Sequence, residues 1–172
     1  MKLRDILKLS TESVTPNPDI FYNLYSLPSF DEGKTPKLSK GVSIMSNKYL
    51  VPDKCILFNK LNVRFKRVWR INNNVANKIA STEFLPLIID ESIVDFNYAY
   101  YLLISDSLTN FLCGQNSNTS GSHKRIDPTS FLDINITLPS REEQEKIGSL
   151  LGDIDAKIAI NQEINRNLLL SA

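Results

Sequence analysis

After Ser140 the chain contains no proline and only two glycines, Gly148 and Gly152; all eight prolines lie earlier. Proline and glycine are the two residues that most disfavour helix, so a tail without the first and nearly without the second is expected to be helical. Its start is marked. Ser140 and Glu143 form the S-x-x-E capping box, in which each side chain can satisfy the other residue's free backbone N–H. Ile147, Leu151, Ile154 and Ile158 then follow at 4-3-4 spacing, a coiled-coil seam. Continued, that seam meets Asn161 and Asn165 before Leu168, with Ile164 one residue off register. A helix of about 30 residues reaches roughly 45 Å, longer than a small domain needs, so it is expected to project and to need a partner helix. The chain therefore divides into a globular part, 1–138, and a helical arm, 139–172.

The globular part is expected to be a mixed α/β (α+β) domain. Strands are predicted at Ile20–Leu27, Val42–Met45, Cys55–Asn59, Arg67–Ile71, Glu83–Ile89 and Ile134–Leu138, rich in β-branched and aromatic residues. Leu3, Ile6 and Leu7 fit a short amphipathic helical turn. Asp95 is placed as the N-cap of one helix running to Gly114, and Asp127-Pro128 opens a brief turn of helix. Residues 114–123 (GQNSNTSGSH) read as a loop.

The chain has 172 residues, 42% apolar and 23% charged, an ordinary globular composition. That excludes disordered, collagenous and disulfide-scaffold classes. No run of 18 apolar residues occurs, and the first residues, MKLRDILKLSTES, lack a signal-peptide apolar region. Two cysteines, Cys55 and Cys113, fit reduced thiols, so a cytoplasmic protein without a membrane partner is expected.

A net charge of +1 hides segregation. Residues 48–78 carry Lys48, Lys54, Lys60, Arg64, Lys66, Arg67, Arg70 and Lys78 against Asp53 alone. Residues 79–111 carry Glu83, Asp90, Glu91, Asp95 and Asp106 with no Lys or Arg. Two readings compete: a basic surface for an anionic partner, or complementary faces folded onto each other. Catalytic signatures are sparse. His123, the one histidine, has neither a CxxC pair nor a GxSxG nearby, and no phosphate-cradling glycine loop occurs. Pro18-Asp19 followed by Glu32-Gly33-Lys34 does match the degenerate PD…(D/E)xK pattern of Mg²⁺-dependent nucleases, which needs its lysine on a rigid strand.

Four blocks occur in order: CILFNKLNVRFKRVW (55–69), IASTEF (79–84), SGSHKRI (120–126) and INITLPSREEQEKI (134–147). Together, over about residues 50–165, they resemble the target-recognition domain and following conserved region of Type I restriction–modification specificity subunits. The resemblance implies a target-recognition fold of twisted, mostly antiparallel strands, followed by a coiled-coil-type helix. It implies a non-catalytic reader of double-stranded DNA that directs an adenine-N6 methyltransferase subunit, with a separate motor-nuclease in full restriction systems. No cofactor belongs to this chain; S-adenosylmethionine is expected on the methyltransferase. Family members carry two recognition domains and two helical regions, so this chain resembles a half-subunit or a fragment. It also lacks both the [DNS]PP[YFW] motif and a P-loop, as a non-catalytic reader should.

The residues support that implication. Lys60, Arg64, Lys66, Arg67 and Arg70 bracket an expected turn between two strands, where they can meet phosphates or, for arginine, the guanine edge. Phe65 and Trp69, interleaved with them, are expected in the core. Ser120, His123, Lys124 and Arg125 form a second candidate patch, and Lys34 with Lys37 a third. Ile147, Leu151, Ile154, Ile158 and Leu168 are the candidate partner interface, either as a homodimer of arms or as a methyltransferase dock. The rival function is an interaction module whose domain touches no nucleic acid.

Overall fold

The structure is a computed structural model that describes residues 1–115 and 125–170. Two sheets form its centre. The first has the strand order β1 (Leu7–Leu9), β9 (Phe84–Ile89), β6 (Lys54–Asn59) and β7 (Val68–Asn72), all antiparallel. The second has the order β2 (Ser13–Val14), β5 (Lys48–Leu50), β8 (Lys78–Ala80), β3 (Phe21–Tyr25) and β4 (Lys37–Lys40). Only β3 and β8 run parallel among the described residues. The expected mixed domain of antiparallel sheets is therefore present.

Successive side chains of a strand point to opposite faces, so a strand covered on both sides reads as a continuous apolar run. β6 (KCILFN) is such a strand. Ile56 and Phe58 face one core with Leu85, Leu87, Phe96, Ala99, Leu103 and Phe131. Cys55 and Leu57 face the other with Trp69, Ile71, Phe84 and, from the second sheet, Tyr25 and Ala80. Each buried aliphatic side chain contributes roughly 1.5–3 kcal/mol, so β6 anchors both cores at once. Burial also pushes the Cys55 thiol up to about 12, which keeps it a protonated filler.

The helices are capped as their sequences suggest. Ser26 Oγ accepts from Ser29 N at the start of α1 (Leu27–Asp31), and Asp95 Oδ1 from Tyr98 N at the start of α2 (Phe96–Leu103). The single helix expected from Asp95 to Gly114 is two. Ser105 Oγ accepts from Leu108 N and opens α3 (Asp106–Gln115), a competing N-cap that turns the chain. Asp127 caps α4 (Pro128–Leu132) through Ser130 N.

Three further expectations need correction. Residues 3–9 form a 3-10 turn and then β1, because Leu7–Leu9 completes the edge beside β9. Val42–Met45 is no strand: Gly41–Ser43 is a 3-10 turn held by Gly41 N donating to Ile20 O. Ile134–Leu138 joins no sheet; Leu3 N donates to Ile134 O and Ile136 N to Met1 O, tying the segment to the first residues.

The arm is α5 (Arg141–Leu170), 30 residues long. The Ser140–Glu143 capping box forms, with Ser140 N donating to Glu143 Oε2 at 2.9 Å. Its inner half is fastened to α2. Gln144, buried, accepts from Asp95 N at 2.9 Å and donates to Pro139 O at 3.0 Å. Tyr101 Oη donates to Asp155 Oδ2 at 2.7 Å; burial and that carboxylate push the phenol up to about 12. Gly148 lies so close to α2 that an added Cβ would stand 2.6 Å from Asp95 Oδ1 and 3.0 Å from Tyr98 N. Past Asp155 every residue with a described side chain is exposed. The projecting half is thus roughly 22 Å long.

Candidate nucleic-acid interface

The connection between β6 and β7 is built to push charge outward. Asn59, buried, folds its side chain back onto Leu61, accepting from Leu61 N at 2.9 Å. Asn62 and Lys66 both adopt left-handed backbone (φ 52° and 47°) on either side of a 3-10 turn, Val63–Phe65. Val63 pins that turn into the core, which leaves Arg64, Phe65 and Lys66 facing out. Of the two aromatics expected inside, Trp69 is buried but Phe65 is 52% exposed. The guanidinium carbons of Arg64 and Arg67 lie 4.7 and 4.8 Å from the Phe65 ring centre. Such cation–π contacts align the guanidiniums on the ring face.

Three of the candidate cations already hold carboxylates. Arg67 Nε and Nη2 donate to both oxygens of Asp31, each at 2.7 Å. Lys66 Nζ donates to Asp106, at the start of α3. Arg125, which bridges to Leu61, donates through Nη2 to Glu83 Oε1 at 2.7 Å and through Nε to Oε2 at 3.0 Å. Those hydrogen bonds hold the Asp31, Asp106 and Glu83 carboxyls below their usual range, and raise Arg67 and Arg125 in turn. Lys66–Asp106 and Lys54–Glu91, the latter at 2.6 Å, join the basic segment to the acidic one, so the reading of complementary faces folded onto each other is partly realised. Among the described residues, Lys60, Arg64 and Arg70 form no ion pair. Arg70 instead donates to Asn97 Oδ1 at 2.9 Å and lies 4.9 Å from the Tyr100 ring centre.

The other candidates are scattered. Lys34, left-handed at φ 53°, lies over the Phe30 ring and reaches Tyr100 Oη at 3.4 Å, which brings it toward Arg70. Lys37 is exposed on β4, the edge of the second sheet. Ser120, His123 and Lys124 lie outside the described residues. The nuclease pattern is not assembled as its chemistry needs. Glu32 closes α1 and Lys34 sits in the turn after it, not on a strand. Among the described residues no group of three or more His, Cys, Asp or Glu side chains comes together.

A family model for the Type I restriction modification DNA specificity domain matches residues 1–170. The chain belongs to that family. A curated relative, the Type I restriction enzyme HindI specificity subunit of Haemophilus influenzae, is 27% identical over 113 residues, 66% of this chain and 25% of that subunit. The HsdS subunit from Thermoanaerobacter tengcongensis has a similar fold, with TM-score 0.76 at 20% identity over 95% of this chain and 43% of that one. A chain from a structure of a type I R-M system in complex assembly and conformational transition gives TM-score 0.73 at 18% identity, over 96% and 43%. The specificity domain here thus spans about a quarter of the curated relative's length and under half of either solved chain. Specificity subunits of Type I systems are non-catalytic.

Within this specificity domain the β6–β7 turn can do two things chemically. Lys60 and Arg64 can take phosphates directly, and the planar forks of Arg64, Arg67 and Arg70 match a guanine edge or a phosphate. Residue-level reading missed Phe65 as a surface group, and Asn97 and Tyr100 as partners of Arg70. The alternation of β7 carries a signal for the last two: Arg70 shares its face with Val68, which packs against α2's core. No helix among the described residues is long and apolar enough to cross a membrane.

Proposed function

We propose that this specificity domain is the DNA reader of a Type I methyltransferase complex, itself without catalysis. The observation that carries this reading is the family match over residues 1–170, joined to a turn that presents Lys60, Arg64 and Phe65 outward. DNA lies against the β6–β7 turn, with Lys60, Arg64, Lys66, Arg67 and Arg70 as the first contact set. Arg125 adjoins that set through Glu83; Ser120, His123 and Lys124, which lie outside the described residues, and Lys34 and Lys37 are the further candidate contacts. The partner is an adenine-N6 methyltransferase that brings S-adenosylmethionine, and a motor-nuclease joins where restriction accompanies modification.

The arm 139–172 serves assembly. Ile147, Ile154, Ile158 and Leu168 are 39 to 61% exposed, and covering several of them is favourable at roughly 1.5–3 kcal/mol each. Leu151, half-buried, sits nearer the domain. The arm pairs with a second copy or with the methyltransferase, and a paired dimer would present two readers to a symmetric site.

The test is duplex binding by the full chain at increasing salt. Replacing Lys60 and Arg64 with Ala should weaken binding and flatten the dependence of log K on log salt by about 0.9 per lost phosphate contact. A folded double variant with an unchanged slope removes the turn from the interface. Binding that is absent at every salt concentration, alone and with a methyltransferase partner, favours the pure interaction module instead.

A further inference from the structure

The cations of the β6–β7 turn are of two kinds. Lys60 and Arg64 form no ion pair among the described residues, whereas Lys66, Arg67 and Arg125 each hold a carboxylate brought from far along the chain. Asp31 lies 36 residues from Arg67, Asp106 40 from Lys66, and Glu83 42 from Arg125. The carboxylates come from α1, α3 and the residue just before β9, which surround the turn. Each is an oxyanion with hydrogen-bond geometry like that of a phosphate oxygen.

Resting on the DNA-reading function above, we propose that Asp106, Glu83 and Asp31 are specificity-determining residues. They occupy, on Lys66, Arg125 and Arg67, the place a DNA phosphate would take, and so hold down binding to arbitrary sequence.

The pairs differ in how readily they exchange. Lys66 and Asp106 are 36% and 85% exposed, so water screens that pair and a phosphate can displace its carboxylate; Arg125 is 53% exposed but Glu83 only 22%, so that pair exchanges less readily. Arg67 is only 18% exposed, gripped at both nitrogens and stacked on Phe65, so its exchange is the hardest. Non-specific affinity is almost entirely phosphate attraction. With Lys66, Arg67 and Arg125 unpaired as well, this surface would bind any duplex strongly; as folded, those three stay neutralised until a fitting site compensates for breaking their pairs. Affinity for arbitrary DNA falls, while contacts to base edges still add their full contribution on the right sequence.

Asp106→Asn and Glu83→Gln in the full chain, with a mixed-sequence duplex of about 30 base pairs as probe, test this. Each variant should bind about tenfold tighter at about 50 mM salt, with a log–log slope steeper by about 0.9. Adding Lys66→Ala to Asp106→Asn should cancel the gain. Glu163→Gln, the same charge change on the projecting arm, is the control for general electrostatics. Circular dichroism checks the fold, and Asp106, on the outer surface of α3's first turn, is the substitution least able to disturb it. A gain no larger than that of Glu163→Gln, or one that survives Lys66→Ala, overturns the proposal and leaves the DNA-reading role standing. If no chain, wild type or variant, binds the duplex at low salt, the DNA-reading role itself falls, and this proposal with it.

Discussion

The β6–β7 turn and the outer half of α5 both leave the domain surface, but the first arrives largely satisfied and the second does not. At the turn, Lys66, Arg67 and Arg125 have carboxylates from the same chain, and Arg70 has an amide and a ring. On the arm, Ile154, Ile158, Ile160, Ile164 and Leu168 stand 45 to 61% exposed. The physical difference is that ion pairs in water are worth little and exchange partners readily, whereas aliphatic surface gains nothing from water. A charged surface can meet its partner and release it. An aliphatic one is stable only while covered. The turn thus suits a ligand that is sampled many times, and the arm suits a lasting assembly contact.

The comparison is broken most forcefully at the arm. Ile154→Asp with Ile158→Asp should weaken arm-mediated association by roughly 3–6 kcal/mol, a hundredfold or more, because two buried aliphatics become charged. Sedimentation of the full chain, alone and with the methyltransferase, measures it. The melting temperature should barely move, since neither side chain is buried in this domain. Association that is equally strong in the double variant would assign the contact to another surface.

A smaller effect is expected where the arm is fastened. Gly148→Val places atoms inside the contact with Asp95 and Tyr98, and overpacking of this kind costs about 1–3 kcal/mol. Thermal melts should report that loss, and hydrogen exchange should show faster opening of residues 141–155 than of β6. A variant as stable as wild type would mean that α5 shifts freely on α2, and that the two regions are not held in one geometry.

The smallest effect sharpens the description of the turn. Asp31, Glu83 and Asp106 have carboxyls lowered from 3.8, 4.5 and 3.8 in the folded chain. A group depressed by folding adds stability above its unfolded pKa, and that stability disappears as pH falls through the folded value. The gap in melting temperature between wild type and the triple variant Asp31→Asn, Glu83→Gln, Asp106→Asn should therefore be constant from about pH 7 to 5 and close below about pH 4. A gap that does not narrow at all as the pH is lowered below about 4 would mean the pairs act through packing rather than charge.

Local features were legible in the sequence and long-range ones were not. The Ser140–Glu143 box and the Asp95 and Asp127 caps are set by neighbours within a few residues, the strands around Cys55–Asn59 and Glu83–Ile89 are marked by their local composition, and each forms. The expected single helix from Asp95 to Gly114 breaks at Ser105, a break not legible in the sequence because a cap and a helical surface residue look alike until the chain turns. Val42–Met45 has strand-like composition, yet Gly41 is drawn against Asn17, where an added Cβ would stand 1.8 Å from the Asn17 carbonyl oxygen, and that contact sets a turn. The basic tract was visible as composition. Which of its members are already paired depends on residues about 40 positions away, information that spacing alone does not carry.

Trp69, the chain's one tryptophan, has a practical consequence. Its ring meets Tyr25 at 4.8 Å, Phe30 at 5.5 Å and Phe84 at 6.3 Å, edge-on in each case. Tyr25 belongs to the second sheet and Trp69 to the first, so the indole sits at the seam between them, one residue from Arg70 and two from Arg67. A single emission band therefore follows the joint between the two sheets. Separation of the sheets should red-shift it as water reaches the ring, while loss of the arm alone should leave its colour unchanged.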